Sequence, residues 1–355
     1  MPRPLPDAPR GGPLLGPLLG PHGDRAHCAT TRLPRRALLG LGMLVPAVAC
    51  APRGSDAGGA VAAACRNSSG DAELLTAALR ATASIEADLG AAAARHPGLR
   101  PRLRASQRLH AAHRGVLDPS GEGVDASAGA GSPAPLPPTR SPAAALGVLA
   151  RRERVLADRM GALAVAAGSG PFARLLASCA AGARATAVTL GASPTPPVLP
   201  DPVVDDAPLA GAAVAVPALQ DALAAEHAAV WALGVLGART SSSAQPGLTA
   251  ALTSAYAAHR DRRDLLQALL VALGEEPVAA APAYALPPSS GPDEVAASAR
   301  AVETRCGTWW AAAVEATTGP TRALASDALG DTAVRGLVGR GGPEIFPGAD
   351  ELADR

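Results

Sequence analysis

Residues 219–234 read LQDALAAEHAAVWALG, and residues 75–90 read LTAALRATASIEADLG. Leu219, Leu223, Leu233 and Gly234 fall where Leu75, Leu79, Leu89 and Gly90 stand, 144 positions earlier. Farther along, AAHR occurs at 111–114 and again at 257–260. The Gly-Pro pair at 170–171 returns at 319–320, so the offset widens to 146 and then 149. Such a drift is what small loop insertions between matched elements produce, and it identifies two copies of one unit. Residues that differ between the copies are those the scaffold alone does not require.

Apolar residues at three- and four-residue spacing predict four helices in each copy. In the first they cover about 72–95, 99–117, 142–167 and 171–190; in the second, 213–237, 248–274, 293–317 and 321–339. Proline stands at or near the first turn after both Gly-Pro connections, where its missing N–H costs nothing. No segment alternates as a strand would. The fold class is therefore all-α, two four-helix bundles. The organisation reads as a signal (1–50), a tether (51–70), a first bundle (71–192), a Pro-rich linker (193–210), a second bundle (211–348) and a tail (349–355).

Loop length selects the topology. Between the second and third helices lie about 24 residues in the first copy and 18 in the second, whereas most other connections are short. At about 3.3 Å per residue, 18 residues reach roughly 60 Å, enough to return the chain along a helix. A crossover of that kind makes the first and fourth helices parallel.

The chain is 48% apolar with a formal net charge of +1, a globular composition without the basic excess that nucleic-acid binding needs. Arg35-Arg36 precedes a short apolar run, 37–49, that ends Val45-Pro-Ala-Val-Ala-Cys50. This resembles a bacterial twin-arginine export signal joined to a lipoprotein cleavage site. It implies lipidation at Cys50 and anchoring at the outer face of the cell membrane. Pro34, Leu38 and Ala47 depart from the usual residues of such signals. In an oxidising compartment Cys65 and Cys179 are candidates for a disulfide within the first bundle. The crossover would bring them to one end. Cys306 reads as a small buried apolar residue.

A four-helix unit with one long crossover, bearing Glu on its first helix and His on its second, resembles the ferritin-like fold. Residues 218–348 are similar, more narrowly, to the ferritin-like domain of unknown function of actinobacterial lipoproteins. AAEHAAVWALG at 224–234, AAHRDRRDLL at 257–266, AYALP at 283–287 and Phe346-Pro347-Gly348 carry that likeness. The first copy joins it only through the internal repeat, and the family implies no established activity.

A di-iron carboxylate site needs a Glu from each of two helices and a Glu-x-x-His from each of the others. Glu226 lies on the stripe Leu219, Leu223, Val230 and Leu233, and His259 on that of Leu252, Ala255, Leu266 and Leu270. Tyr256 stands where a ligating Glu would precede His259, and the last helix has no Glu-x-x-His. Glu226, His259, Glu303 and Asp331 are the candidates, short of six ligands. They read first as a buried polar network, with Arg262 or Arg263 as further members. A degenerate iron or manganese site is the alternative. Thr82 takes the place of Glu226 in the first copy, while the AAHR match puts His113 in that of His259. His110 and His113 could share a helix face, without a carboxylate in that stretch. Trp309 and Trp310 are adjacent, so one of them is expected at an edge.

The functional expectation is a membrane-tethered binding or scaffold module with no cofactor and no catalytic residue. Its partners would be the membrane, through lipid, and an unidentified protein or small ligand. A metal-binding oxidative enzyme is the alternative. No nucleophile elbow, P-loop or dinucleotide fingerprint is present.

Overall fold

A computed structural model describes residues 69–121, 137, 139–194, 212–339 and 342–352. They form eight α-helices: α1 (Ser69–Arg95), α2 (Arg100–Leu117), α3 (Pro142–Ala166), α4 (Gly170–Leu190), α5 (Ala212–Gly237), α6 (Pro246–Ala272), α7 (Pro292–Ala316) and α8 (Gly319–Arg335). No strand occurs among the described residues. The all-α expectation holds, and every helix appears where periodicity placed it. The helix starts follow local chemistry: Ser141 Oγ accepts from Ala144 N ahead of Pro142, and Ser169 Oγ from Phe172 N ahead of Pro171. Helix α4 ends in a left-handed glycine, Gly191 at φ 114°. Helix α8 stops before residue 339 because Leu337 and Val338 bond back three residues, to Val334 and Arg335, in turns.

Within each repeat the first helix packs on the second and third, and the third on the fourth. Side-chain pairs fix the directions. His96 Nε2 meets Thr139 Oγ1 at 3.0 Å and His110 meets Glu153 at 2.9 Å, each pair 43 positions apart, so α2 and α3 run parallel. Arg152 bonds Asp88 near one end of α1, and Asp71 accepts from Gly168 N and Ser169 N at the other, so α1 and α3 are antiparallel. In the second repeat Arg335 reaches Ser254 and Arg262 reaches Asp331, making α6 and α8 antiparallel. The short α7–α8 turn then sets α6 parallel to α7.

The two repeats pack directly on each other, α4 against α7 and α8 and α3 against α8, within one compact unit. Helix α4 explains how. Its stretch Ser178-Cys-Ala-Ala-Gly-Ala183 is buried throughout, and a helix of small side chains admits neighbours on every side. The 193–210 linker falls almost wholly outside the described residues, as do Cys50, Arg35, Arg36 and Cys65. The Cys179 thiol is buried and free, with burial pushing its pKa up. The expected bridge to it falls on Cys65, which lies outside the described residues.

Residues 342–352 turn back from the second repeat onto the first. Ser178 Oγ donates to Pro347 O at 2.9 Å, Arg174 Nη2 to Gly348 O at 2.9 Å, and His113 Nε2 to Ile345 O at 2.7 Å. Phe346 is buried with its ring 5.0 Å from that of His113. Gly348 has φ 73°, and a Cβ there would sit 2.5 Å from Gly307 O.

One arginine serves both repeats at the α3–α4 turn. Arg322, on α8, donates to Ala167 O at 2.5 Å and Ala164 O at 3.3 Å, and to Thr317 O at 2.6 Å and Val314 O at 3.1 Å. It thus covers the carbonyl ends of α3 and α7, where a cation complements the helix dipole. Arg322→Met strands these carbonyls at about 1–3 kcal/mol each for those that water cannot reach. We expect at least about 3 kcal/mol lost in urea denaturation, against no measurable change for Arg104→Met at an exposed α2 position.

Candidate functional site

Four helices of the second repeat send charged side chains to one buried locus. Helix α5 brings Glu226; α6 brings His259 and Arg262, three residues apart on one face. Helix α7 brings Glu303, Cys306 and Trp310 at three- and four-residue spacing, and α8 brings Asp331 and Arg335. Glu226 and His259 are fully buried, and Arg262, Glu303, Cys306, Trp310 and Asp331 nearly so.

His259 lies between two carboxylates. Its Nδ1 is 2.5 Å from Glu226 Oε2 and its Nε2 is 3.2 Å from Glu303 Oε2. The other Glu226 oxygen accepts from Trp310 Nε1 at 2.7 Å. Asp331 Oδ2 accepts from Arg262 Nη2 and from Arg335 Nε, the latter at 2.6 Å. Three acids (Glu226, Glu303, Asp331) therefore face three cations (His259, Arg262, Arg335), and the locus is neutral only when His259 carries its proton.

The electrostatic environment favours that state. Burial opposes charge on His259, but Glu226 and Glu303 outweigh it and raise the pKa well above the usual imidazole value. Burial likewise opposes charge on Glu226, yet His259, Arg262 and Trp310 hold it lowered. Cys306 moves the other way. Burial pushes its thiol up to about 11, and its Sγ lies 3.8 Å from Ala225 O.

The structure brings together Glu226, His259 and Glu303, as the sequence suggested, and joins Asp331 to them through Arg262. Cys306 is more than filler, because donor atoms of Glu226, His259 and Cys306 all lie within 4.8 Å of one another. An ion there would need an unprotonated imidazole nitrogen and would favour a thiolate. Both His259 nitrogens instead face carboxylates. Trp310, Arg335 and the closeness of Cys306 were not legible in sequence. The spacing of 303, 306 and 310 on one helical face was the only signal for Cys306 and Trp310. Of the tryptophans, Trp310 is buried, whereas Trp309 and Trp231 are half-buried, the latter's ring 5.9 Å from Tyr284.

The first repeat corrects the register that AAHR suggested. The residue that bonds the matching acid is His110, whose Nε2 lies 2.9 Å from Glu153 Oε1, as His259 bonds Glu303. His113 lies one turn on, where Arg262 lies in the second repeat. Its imidazole packs against Gly182, which stands 149 positions before Asp331. Burial, with His110 nearby, lowers the His113 pKa to about 3, so this imidazole is neutral. Thr82 is buried and donates to Ala78 O in its own helix. His110 Nδ1 has no hydrogen-bond partner, and the corresponding atom of His259 is the one Glu226 holds.

Because His259 bridges two acids, removing one member leaves another buried and unpaired, at about 3–5 kcal/mol. Glu226→Leu/His259→Leu strands Glu303 and recovers little, whereas adding Glu303→Leu restores most of the loss. Denaturant midpoints of the single, double and triple variants test this ordering. The pH dependence has a definite sign. A raised folded-state histidine pKa contributes stability that is complete below the unfolded value and is lost as pH rises through the folded one. The lowered Glu226 pKa contributes stability lost as pH falls through it. The unfolding temperature should fall on both flanks, and His259→Gln should remove the alkaline decline.

Residues 218–351 match the family model described as a domain of unknown function, DUF4439. No curated protein and no solved structure matches the chain. The matched segment contains every residue of the buried network, so a DUF4439 domain occupies the second repeat and carries the candidate site.

Proposed function

We propose that this chain is an exported lipoprotein, anchored at the outer face of the cell membrane, whose two ferritin-like bundles act as a binding or scaffold module without catalysis. The observation that carries the non-catalytic part is His259 held at both ring nitrogens by carboxylates, inside a network balanced by the protein's own charges. Carboxylates at both ring nitrogens leave no open coordination position at the imidazole, and a buried charged cluster of this kind fixes how helices pack. The ferritin-like assignment is supported by the parallel α2/α3 and α6/α7 crossovers and by the likeness in residues 224–234 and 257–266. Export and anchoring are supported by Arg35-Arg36, the apolar run after it and Cys50.

A second reading is favoured by one feature, the closeness of Glu226, His259 and Cys306 donors. On this reading the second bundle holds iron or manganese at a degenerate site. Its nitrogen, oxygen and sulfur donors would suit such an ion only after His259 and Cys306 lose their protons.

Metal analysis of protein purified from its native host separates the two. The module reading expects substoichiometric metal and the same unfolding temperature with and without chelator. Stoichiometric iron or manganese, lost in Glu226→Ala, overturns it. For localisation, Arg35→Lys with Arg36→Lys should block export, and Cys50→Ala should release the protein from membranes on fractionation. A double-Lys variant exported normally would remove the twin-arginine assignment.

A further inference from the structure

A cavity of about 390 Å³ opens beside the buried network, where the end of the first repeat meets the second. Its walls are aliphatic: Val188 on α4, Leu233 on α5, Leu252 on α6, and Val334 and Val338 on and after α8. Its polar lining is Glu303, Asp331 and Arg335, with Ser254 beside them. Its size falls within the range of about 300–1,000 Å³ typical of small-molecule sites, which favour such junctions. At roughly 30 Å³ each it has room for about thirteen non-hydrogen atoms.

The polar groups are only half committed. Glu303 gives Oε2 to His259, and Asp331 gives Oδ2 to Arg262 and Arg335. Glu303 Oε1 and Asp331 Oδ1 have no protein donor among the described residues, although both side chains are more than nine-tenths buried. Arg335 uses Nε on Asp331 and Nη1 on Ser254, leaving Nη2 as a donor. The cavity thus offers two acceptors and one donor at one side and hydrocarbon elsewhere.

Charge decides the class of ligand. The adjoining acids and bases already cancel, so an ionised head would bring an uncompensated charge into a low-dielectric site. A carboxylate head would in addition face two acceptor oxygens. A hydroxyl or carboxamide donates and accepts without net charge. We propose that this cavity binds a small uncharged amphipathic molecule, an aliphatic body with a hydroxyl or carboxamide head seated on Glu303, Asp331 and Arg335. The inference rests on reading the second repeat as a metal-free binding module, and it supplies that module's ligand class.

The test uses four probes with one alkyl chain: 1-octanol, octanamide, octylammonium and octanoate. Titration calorimetry on the intact chain should give one saturable site for the two neutral probes, and affinity lower by about tenfold or more for the two ions. Ala251→Phe, which fills the cavity from α6, should abolish octanol binding, while Val155→Ser on the exposed face of α3 leaves it unchanged. Circular dichroism checks that both variants fold, and Ala251→Leu serves if the phenylalanine does not. The proposal is overturned if no probe saturates, if an ion binds more tightly than octanol, or if a folded cavity-filling variant binds as wild type does. Chelator arms keep the two readings separable. Failed octanol binding with chelator-indifferent stability removes the ligand site alone, whereas chelator-sensitive stability removes the metal-free module whichever probe binds.

Discussion

The imidazolium of His259 lies between Glu226 and Glu303, and through it α5, α6 and α7 are held to one another. Arg262, three residues along α6, extends the same locus to Asp331 and so to α8. A bundle this rich in alanine has few large side chains to define how its helices mesh. Apolar contact between small residues is permissive of sliding, whereas buried charges meet their partners in one register only. A buried charged network of this kind adds little net free energy over an apolar core of equal volume, whereas breaking one of its pairs is costly. Trp310 combines both functions, filling volume and donating to Glu226.

The two repeats solve the same problem differently. The first has the helix pairings of the second and the His–Glu contact between its second and third helices, His110 with Glu153. It lacks the acid of the first helix, and His110 Nδ1 is left without a partner. Where Arg262 and Asp331 pair in the second repeat, His113 and Gly182 leave a notch that the C-terminal segment fills with Ile345 and Phe346. The close approach depends on glycine, since a Cβ on Gly182 would lie 3.1 Å from Ile345 O. Loss of the charged pair in one copy and docking of the other copy's tail at that place are complementary features of one duplicated unit.

Contact between the repeats also rests on backbone groups at the α3–α4 turn. Asp71 from α1 accepts from Gly168 N and Ser169 N, while Arg322 from α8 donates to Ala167 O. A single turn is thus satisfied from both sides, by a carboxylate at the amide end of one helix and a guanidinium at the carbonyl end of another. Gly170 lets this happen, because a Cβ there would lie 2.3 Å from Glu315 O.

Hydrophobic periodicity, Gly-Pro punctuation and loop length were enough to place all eight helices and to predict the parallel crossovers, because those properties are set by local chain geometry. Apolar stripes pointed to Glu226 and His259 as inward-facing, since a polar residue on such a stripe must meet a partner, and the search for further ligands added Glu303 and Asp331. Sequence alone could not say which partner, because that depends on the axial shift between packed helices, and a shift of one turn exchanges His113 for His110. It gave no role to Arg322, and it read residues 193–210 as a Pro-rich linker. Only the tertiary structure set the two repeats against each other, with Arg322 on the α3 carbonyls, Phe346 against His113 and a half-satisfied cavity beside Glu303. Contacts between residues more than a hundred positions apart leave no local pattern for a sequence to display.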